Sequence, residues 1–205
     1  MKVLMLNGSP HEHGCTYVAL SEAAKALNEK GIETEIVWLG KEPLEGCRGC
    51  AACSKLWKCV VDDKVNEFAE KAAEADGFIF GSPVHYASAG GAIVSFMDRL
   101  FYSSGRKMAY KPAACVVSCR RAGASATFDV LNKYFTINQM PVVSSNYWNE
   151  IHGNTPEQAL QDAEGLQTMR LLGKNMAWLL QCIEAGKAAG IAPEKEKKIW
   201  TNFIR

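Results

Sequence analysis

The sequence predicts an α/β domain built on a doubly wound parallel sheet of five strands, with helices on both faces. Three observations predict it. Short apolar runs such as Gly77 to Gly81 and Ala113 to Ser118 alternate with amphipathic segments at helical spacing, the pattern of a parallel sheet covered on both sides. Loops of small residues follow three of these runs at their carboxyl ends, where such sheets form their ligand crevice. The 205 residues, 48% of them apolar, suffice for one well-buried domain and are short for two, so 1–205 is read as a single domain with a cysteine-rich loop at 47–59 and a C-terminal helix and tail.

In chain order, Met1 to Leu6 reads as the first buried strand, broken by Gly8, Pro10 and Gly14. The helix that follows from Thr16 carries Val18, Leu20, Ala23, Ala24 and Leu27 on one stripe and stops at Lys30-Gly31. Ile32 to Leu39 alternates, with Ile36 and Trp38 on one face and Glu33 and Glu35 on the other, as a half-exposed strand near the sheet edge. Residues 40–61 are irregular. Asp62 or Asp63 then caps a helix with Val65, Phe68, Ala69 and Ala72 buried. The strand at Gly77 to Gly81 leads through Ser82 to Gly91 into a helix that turns Ile93, Phe96, Met97 and Leu100 inward. The fourth strand, Ala113 to Ser118, exits through Cys119 to Gly123 into a helix from about Ala124 to Tyr134 or beyond, and Pro141 to Ser144 is expected as a short fifth strand. Thr155-Pro156 starts a long helix to about Ala185, with Gly165 and Gly173 as candidate interruptions. The tail residues Ile199, Trp200, Phe203 and Ile204 are too apolar to be left in water and are expected to find cover on this subunit or a neighbour.

Composition narrows the partners. Lys plus Arg number 23 against 22 Asp plus Glu, and a net charge of +1 selects neither a nucleic acid nor a membrane surface, which leaves small molecules. No charged segment followed by an apolar one opens the chain and no run reaches membrane-spanning length, so a cytoplasmic protein is expected.

The loop from Asn7 to Thr16 runs from a strand into a helix start, where free N–H groups and the positive end of the helix dipole favour an anion, with Ser9 and Thr16 as hydroxyl donors. It lacks both the Gly-Lys-Ser/Thr of a Walker loop and the three-glycine dinucleotide pattern. Ser82 to Gly91 combines small residues with His85 and Tyr86 ahead of another helix start, with Gly90 and Gly91 permitting close approach, an arrangement suited to a planar ring or to an ordinary surface turn. Arg120 and Arg121, at the exit of the fourth strand, suit an anionic ligand or simple solvation. Cys47, Cys50, Cys53 and Cys59 form C-x2-C-x2-C-x5-C, four thiols in thirteen residues. That spacing lets them converge on one compact centre, as a [4Fe-4S] cluster requires; zinc, disulfide oxidation and a plain solvated loop are the alternatives. Cys15 sits at a helix start that would lower a thiol pKa, but it reads first as a small filler in the loop, and Cys115 and Cys182 lie on apolar segments expected in the core.

Asn7-Gly8-Ser9-Pro10 with Thr16, Gly81 to Ser88, Met97-Asp98-Arg99-Leu100 and Ser118 to Gly123 together resemble the flavodoxin-like NAD(P)H-dependent FMN reductases, over nearly the whole chain. The resemblance implies a flavodoxin-like sheet in the order 2-1-3-4-5. It implies FMN as cofactor, with Ser9, Pro10, His11 and Thr16 in the loop that holds its phosphate. Pro83, Val84, His85, Tyr86, Ala87 and Ser88 would line the isoalloxazine, and Ser118, Arg120, Arg121 and Gly123 its pyrimidine side or an adjacent subunit's ring. Many relatives carry Arg or Lys where this chain has His11 beside Glu12, which shifts phosphate binding onto amides and hydroxyls. The cysteine segment resembles the compact motif of the iron-sulfur flavoproteins, a branch of the same fold, and implies a [4Fe-4S] cluster on the four thiols and a ferredoxin-like donor. The family further implies hydride transfer from NAD(P)H through FMN to a small acceptor such as a flavin, quinone, azo or nitro compound. No side chain is required as a catalytic residue, and a homodimer or homotetramer is expected.

Overall fold

The computed structural model describes residues 1–201 and 203. The sheet is assembled from β1 (Lys2–Asn7), β2 (Glu33–Trp38), β3 (Gly77–His85), β5 (Ala113–Cys119) and β6 (Glu150–His152), all parallel, in the spatial order β2-β1-β3-β5-β6. The two-residue β4 (Ser88–Ala89) pairs antiparallel with the end of β3 and lies off this path. With that hairpin set aside, the order is the flavodoxin-like one.

Alternate residues of the central strands face opposite layers. Leu4, Leu6, Phe78, Phe80, Cys115 and Val117 enter the core beneath α3 (Lys64–Glu74), α4 (Gly91–Met108) and α5 (Ala124–Ile137). Val3, Met5, Ile79, Ala114 and Val116 enter the core beneath α1 (Cys15–Asn28) and α7 (Ala163–Ala188). Burial on both faces is why β1, β3 and β5 read as unbroken apolar runs. Phe80 is the centre of the first layer, with ring centroids of Phe68, Phe101 and Phe135 at 5.9, 5.8 and 5.5 Å. On the other layer α7 crosses α1 at Gly173, where an added Cβ would stand 2.5 Å from the Ala23 carbonyl oxygen. Gly173 therefore marks a helix contact and not a break.

Two expectations change, and the tail narrows to one of its alternatives. The fifth strand is Glu150–His152; Val142 makes only an isolated bridge to Ala113, since Pro141 has no N–H to extend the ladder on one side and Asn149 takes the Cys115 carbonyl and the Val117 N–H on the other. The C-terminal helix is two: α6 (Pro156–Ala159), capped by Thr155, and α7, restarted by Asp162, whose carboxylate accepts from Gly165 N–H at 2.9 Å. In the tail, Ile199, Trp200 and Phe203 are exposed, so their own subunit does not cover them; Ile204 lies outside the described residues. Asp63, not Asp62, caps α3 through a bond from Val65 N–H at 3.0 Å. No described helix is long and apolar enough to cross a membrane.

Candidate flavin cleft and cysteine cavity

Parallel strands deliver their carboxyl ends to one edge, and those of β1, β2, β3, β5 and β6 all meet there. The first loop, after β1, is braced by Asn7, fully buried, whose Oδ1 accepts from Ser9 N–H at 3.1 Å and whose Nδ2 donates to the Glu12 carbonyl at 2.8 Å. Trp38, at the end of β2, donates from Nε1 to the Ser9 carbonyl at 2.9 Å and ties the loop to the neighbouring strand. Ser9 Oγ accepts from His11 N–H at 3.1 Å, which leaves the hydroxyl proton of Ser9 free to donate. Thr16 Oγ1 and Ser118 Oγ share a hydrogen bond of 2.8 Å that joins the first loop to the end of β5.

These residues line a cleft of about 670 Å³, the size of a cofactor site. α1 opens at this cleft, and its N-cap residue, Gly14, supplies no side-chain acceptor. The first-turn N–H groups of Cys15, Thr16 and Tyr17 have no acceptor within the helix, so they remain free for an anion. Ser9, Thr16 and Ser118 add hydroxyls that are at most 4% exposed, and Lys41 and Arg120 add cations. This donor set fits a phosphate ester. Cationic side chains thus reach the cleft from the loops after β2 and β5.

Of the residues singled out in the sequence, Ser9, His11, Thr16, Pro83, Val84, Ser118 and Arg120 line the cleft, whereas Pro10, His85, Tyr86, Ala87, Ser88, Arg121 and Gly123 do not. Pairing of Val84 with Ala89 and of His85 with Ser88 extends β3 and turns the expected loop into a hairpin. Tyr86 occupies its tip with a φ of 63° and is fully exposed. Gly123 has a φ of 86°, and an added Cβ would lie 2.8 Å from Val84 Cγ1, so it seats the loop after β5 under this hairpin. Sequence reasoning missed Trp38, Lys41, Asn154 and Thr155. Lys41 follows the carboxyl end of β2, where the strand-exit rule applied to the edge strand finds it, and Asn154 follows that of β6, where the same rule would have found it had β6 been placed correctly.

The cysteine loop faces a separate cavity of about 660 Å³, lined by Cys47, Cys50, Cys53 and Cys59 together with Trp57, Arg99 and Arg106. The two cavities share no lining residue. α2 (Cys53–Leu56) is a single turn between Ala51 and Trp57, both held at positive φ, 55° and 58°. Such strain in non-glycine residues is characteristic of functional loops. All four cysteines are free thiols. Among the described residues no three Cys, His, Asp or Glu side chains could together hold one metal ion. A [4Fe-4S] cluster takes one thiolate on each iron, and all four cysteines line this one cavity. Four thiols within thirteen residues are a donor set that fits a cluster.

Of the remaining four cysteines, three are held by burial and one departs from its expected place. Burial pushes the Cys15 pKa up, against the lowering expected at a helix start, and its Sγ contacts the Gly153 carbonyl at 3.5 Å. Burial also raises Cys115 and Cys119. Cys182, expected in the core, is exposed on α7.

A flavodoxin-like sheet with an uncapped helix and buried hydroxyls at its carboxyl edge defines a protein built to hold a phosphorylated cofactor. The profile of the NADPH-dependent FMN reductases matches residues 1–155. An iron-sulfur flavoprotein of Methanocaldococcus jannaschii is 34% identical over 192 residues, 90% of this chain and 100% of that one. The RosB crystal structure with bound 8-demethyl-8-formylriboflavin-5'-phosphate superposes with a TM-score of 0.70 at 16% identity, covering 99% of this chain and 92% of that one. A flavodoxin from the domain Archaea superposes at 0.61 and 16% identity, covering 88% and 99%. The chain therefore belongs to the flavodoxin-like, FMN-binding NADPH-dependent FMN reductase family, in its iron-sulfur flavoprotein branch. Its class is that of an FMN oxidoreductase or electron carrier.

Proposed function

We propose that this chain takes hydride from NAD(P)H and passes the electrons to a small acceptor such as a free flavin, a quinone, or an azo or nitro compound, in the cytoplasm. The observation that carries this reading is the uncapped start of α1 facing buried Ser9, Thr16 and Ser118 in a cofactor-sized cleft. FMN, when bound, supplies the hydride and electron chemistry, and the protein supplies binding and position. The amides of Cys15, Thr16 and Tyr17 and the hydroxyls of Ser9 and Thr16 hold the phosphate. Arg120 and Lys41 balance its charge. Pro83 and Val84 form the wall for the ring, and the exposed hairpin of His85 to Ser88, with Arg121 and Gly123 beside it, forms the rim at which co-substrates arrive. A second copy completes that rim and covers the apolar tail, giving a homodimer or homotetramer.

The four free thiols around one cavity favour a second source of electrons: a [4Fe-4S] cluster on Cys47, Cys50, Cys53 and Cys59, charged by a ferredoxin-like donor. Because the cavities share no residue, Cys47→Ser with Cys50→Ser is expected to leave FMN affinity and NAD(P)H oxidation unchanged while abolishing iron and sulfide uptake. Flavin titration, anaerobic NADH and NADPH oxidation, and iron and sulfide analysis measure the three. Loss of flavin from that variant would contradict the independence of the sites, and flavin-loaded protein that oxidises neither nucleotide would contradict the reductase reading.

A further inference from the structure

Arg99 lies on α4 within the first core layer, and its side chain is 1% exposed. Burying a guanidinium is costly unless every N–H finds an acceptor. All five do. Asp63 takes two bonds, from Nη1 at 2.7 Å and Nη2 at 2.8 Å. The backbone carbonyls of Glu45 and Val61 accept at 3.2 and 3.0 Å. Nε–H is aimed at Cys59 Sγ, 3.3 Å away. Glu45 precedes the four cysteines and Val61 follows them, so one buried cation gathers both ends of the loop. Asn66 holds the same cysteine by its backbone, accepting from Cys59 N–H and donating to the Cys59 carbonyl, both at 3.0 Å. Cys59 is thus fixed at sulfur and at main chain, whereas Cys47 and Cys50 are exposed.

We propose that Arg99 is a positioning residue for the cysteine centre, its Nε–H fixing the Cys59 sulfur and raising the one-electron potential of a cluster bound there; this rests on the cluster reading above. Reduction adds one electron from a low-potential one-electron reductant, with no bond made or broken. The added negative charge is stabilised by a charge-assisted hydrogen bond to a ligand sulfur and by the fixed cation behind it. A lysine at this position keeps the charge and reaches Asp63, but it has no second, rigidly placed donor for the sulfur.

The test uses the full chain, reconstituted anaerobically with iron and sulfide, as wild type, Arg99→Lys and Asp63→Asn. The asparagine retains the acceptor for Val65 N–H and leaves the Nε–Sγ contact in place while loosening the clamp. Iron and sulfide content and the midpoint potential by dithionite titration are the readouts. Arg99→Lys is expected to make the cluster about tenfold harder to reduce, about 59 mV lower for one electron, while Asp63→Asn does not lower the potential. Loss of iron from Arg99→Lys alone would support the same role. An unchanged potential in Arg99→Lys, or an equal fall or equal iron loss in both variants, would overturn it. A wild type that takes up no iron and sulfide would overturn the cluster reading and the proposal with it, so the two failures are distinct.

Discussion

Replacing Ser9 by Ala and Thr16 by Val together weakens FMN binding by more than tenfold. Both hydroxyls stand in the cleft beside the open N-terminus of α1, and a hydrogen bond to a charged acceptor contributes about 1.5–3 kcal/mol. Each such bond corresponds to about a tenfold change in affinity or more. Valine keeps the branched shape of a residue that is 1% exposed, so the fold is retained. The change also removes the Thr16–Ser118 bond, so thermal unfolding of the flavin-free protein is the control that separates binding from stability. An unchanged flavin titration in the double variant would move the phosphate elsewhere.

Asp63→Ala has the largest expected effect on stability. It leaves the Arg99 guanidinium buried without its carboxylate and removes the α3 cap in one step. Breaking a buried ion pair from one side costs about 3–5 kcal/mol, and loss of a cap adds about 1 kcal/mol. For a chain of this length each kcal/mol lowers Tm by about 2–4 °C. Urea unfolding and a thermal melt of the variant against wild type check this. A destabilisation under 1 kcal/mol would mean that Arg99 finds water or another acceptor when Asp63 is gone.

The parts of this molecule legible in its sequence are those whose burial is uniform. β1, β3 and β5 announce themselves because each is apolar on both faces, α3 because its stripe and its Asp63 cap agree, and α4 because of its apolar stripe. β6 was hidden by its brevity and by Glu150 and His152, which flank the single fully buried Ile151, while the more strand-like Pro141 to Ser144 forms one bridge only. Glycine as a helix breaker misled at Gly173, since in a tightly crossed helix pair the same residue allows contact with α1.

At the site, strand ends and helix starts were readable, and they drew Ser9, Thr16, Val84 and Ser118 to one cleft. Side-chain reach across the fold was not. Nothing local to Arg99 says that its partner is Asp63, 36 residues earlier, or that its Nε points at Cys59. The extension of β3 into a hairpin that lifts Tyr86 clear of the cleft depends on pairing between Val84 and Ala89 that no composition signal records.

The central claim is that main-chain N–H groups at the start of α1 and the hydroxyls of Ser9 and Thr16 hold the flavin phosphate. A crystal structure of the FMN complex tests it most directly. The account predicts phosphate oxygens within hydrogen-bonding distance of Ser9 Oγ, Thr16 Oγ1 and at least two of the amides of Cys15, Thr16 and Tyr17; a flavin whose phosphate sits away from this loop, with those donors facing water or their own chain, would contradict it.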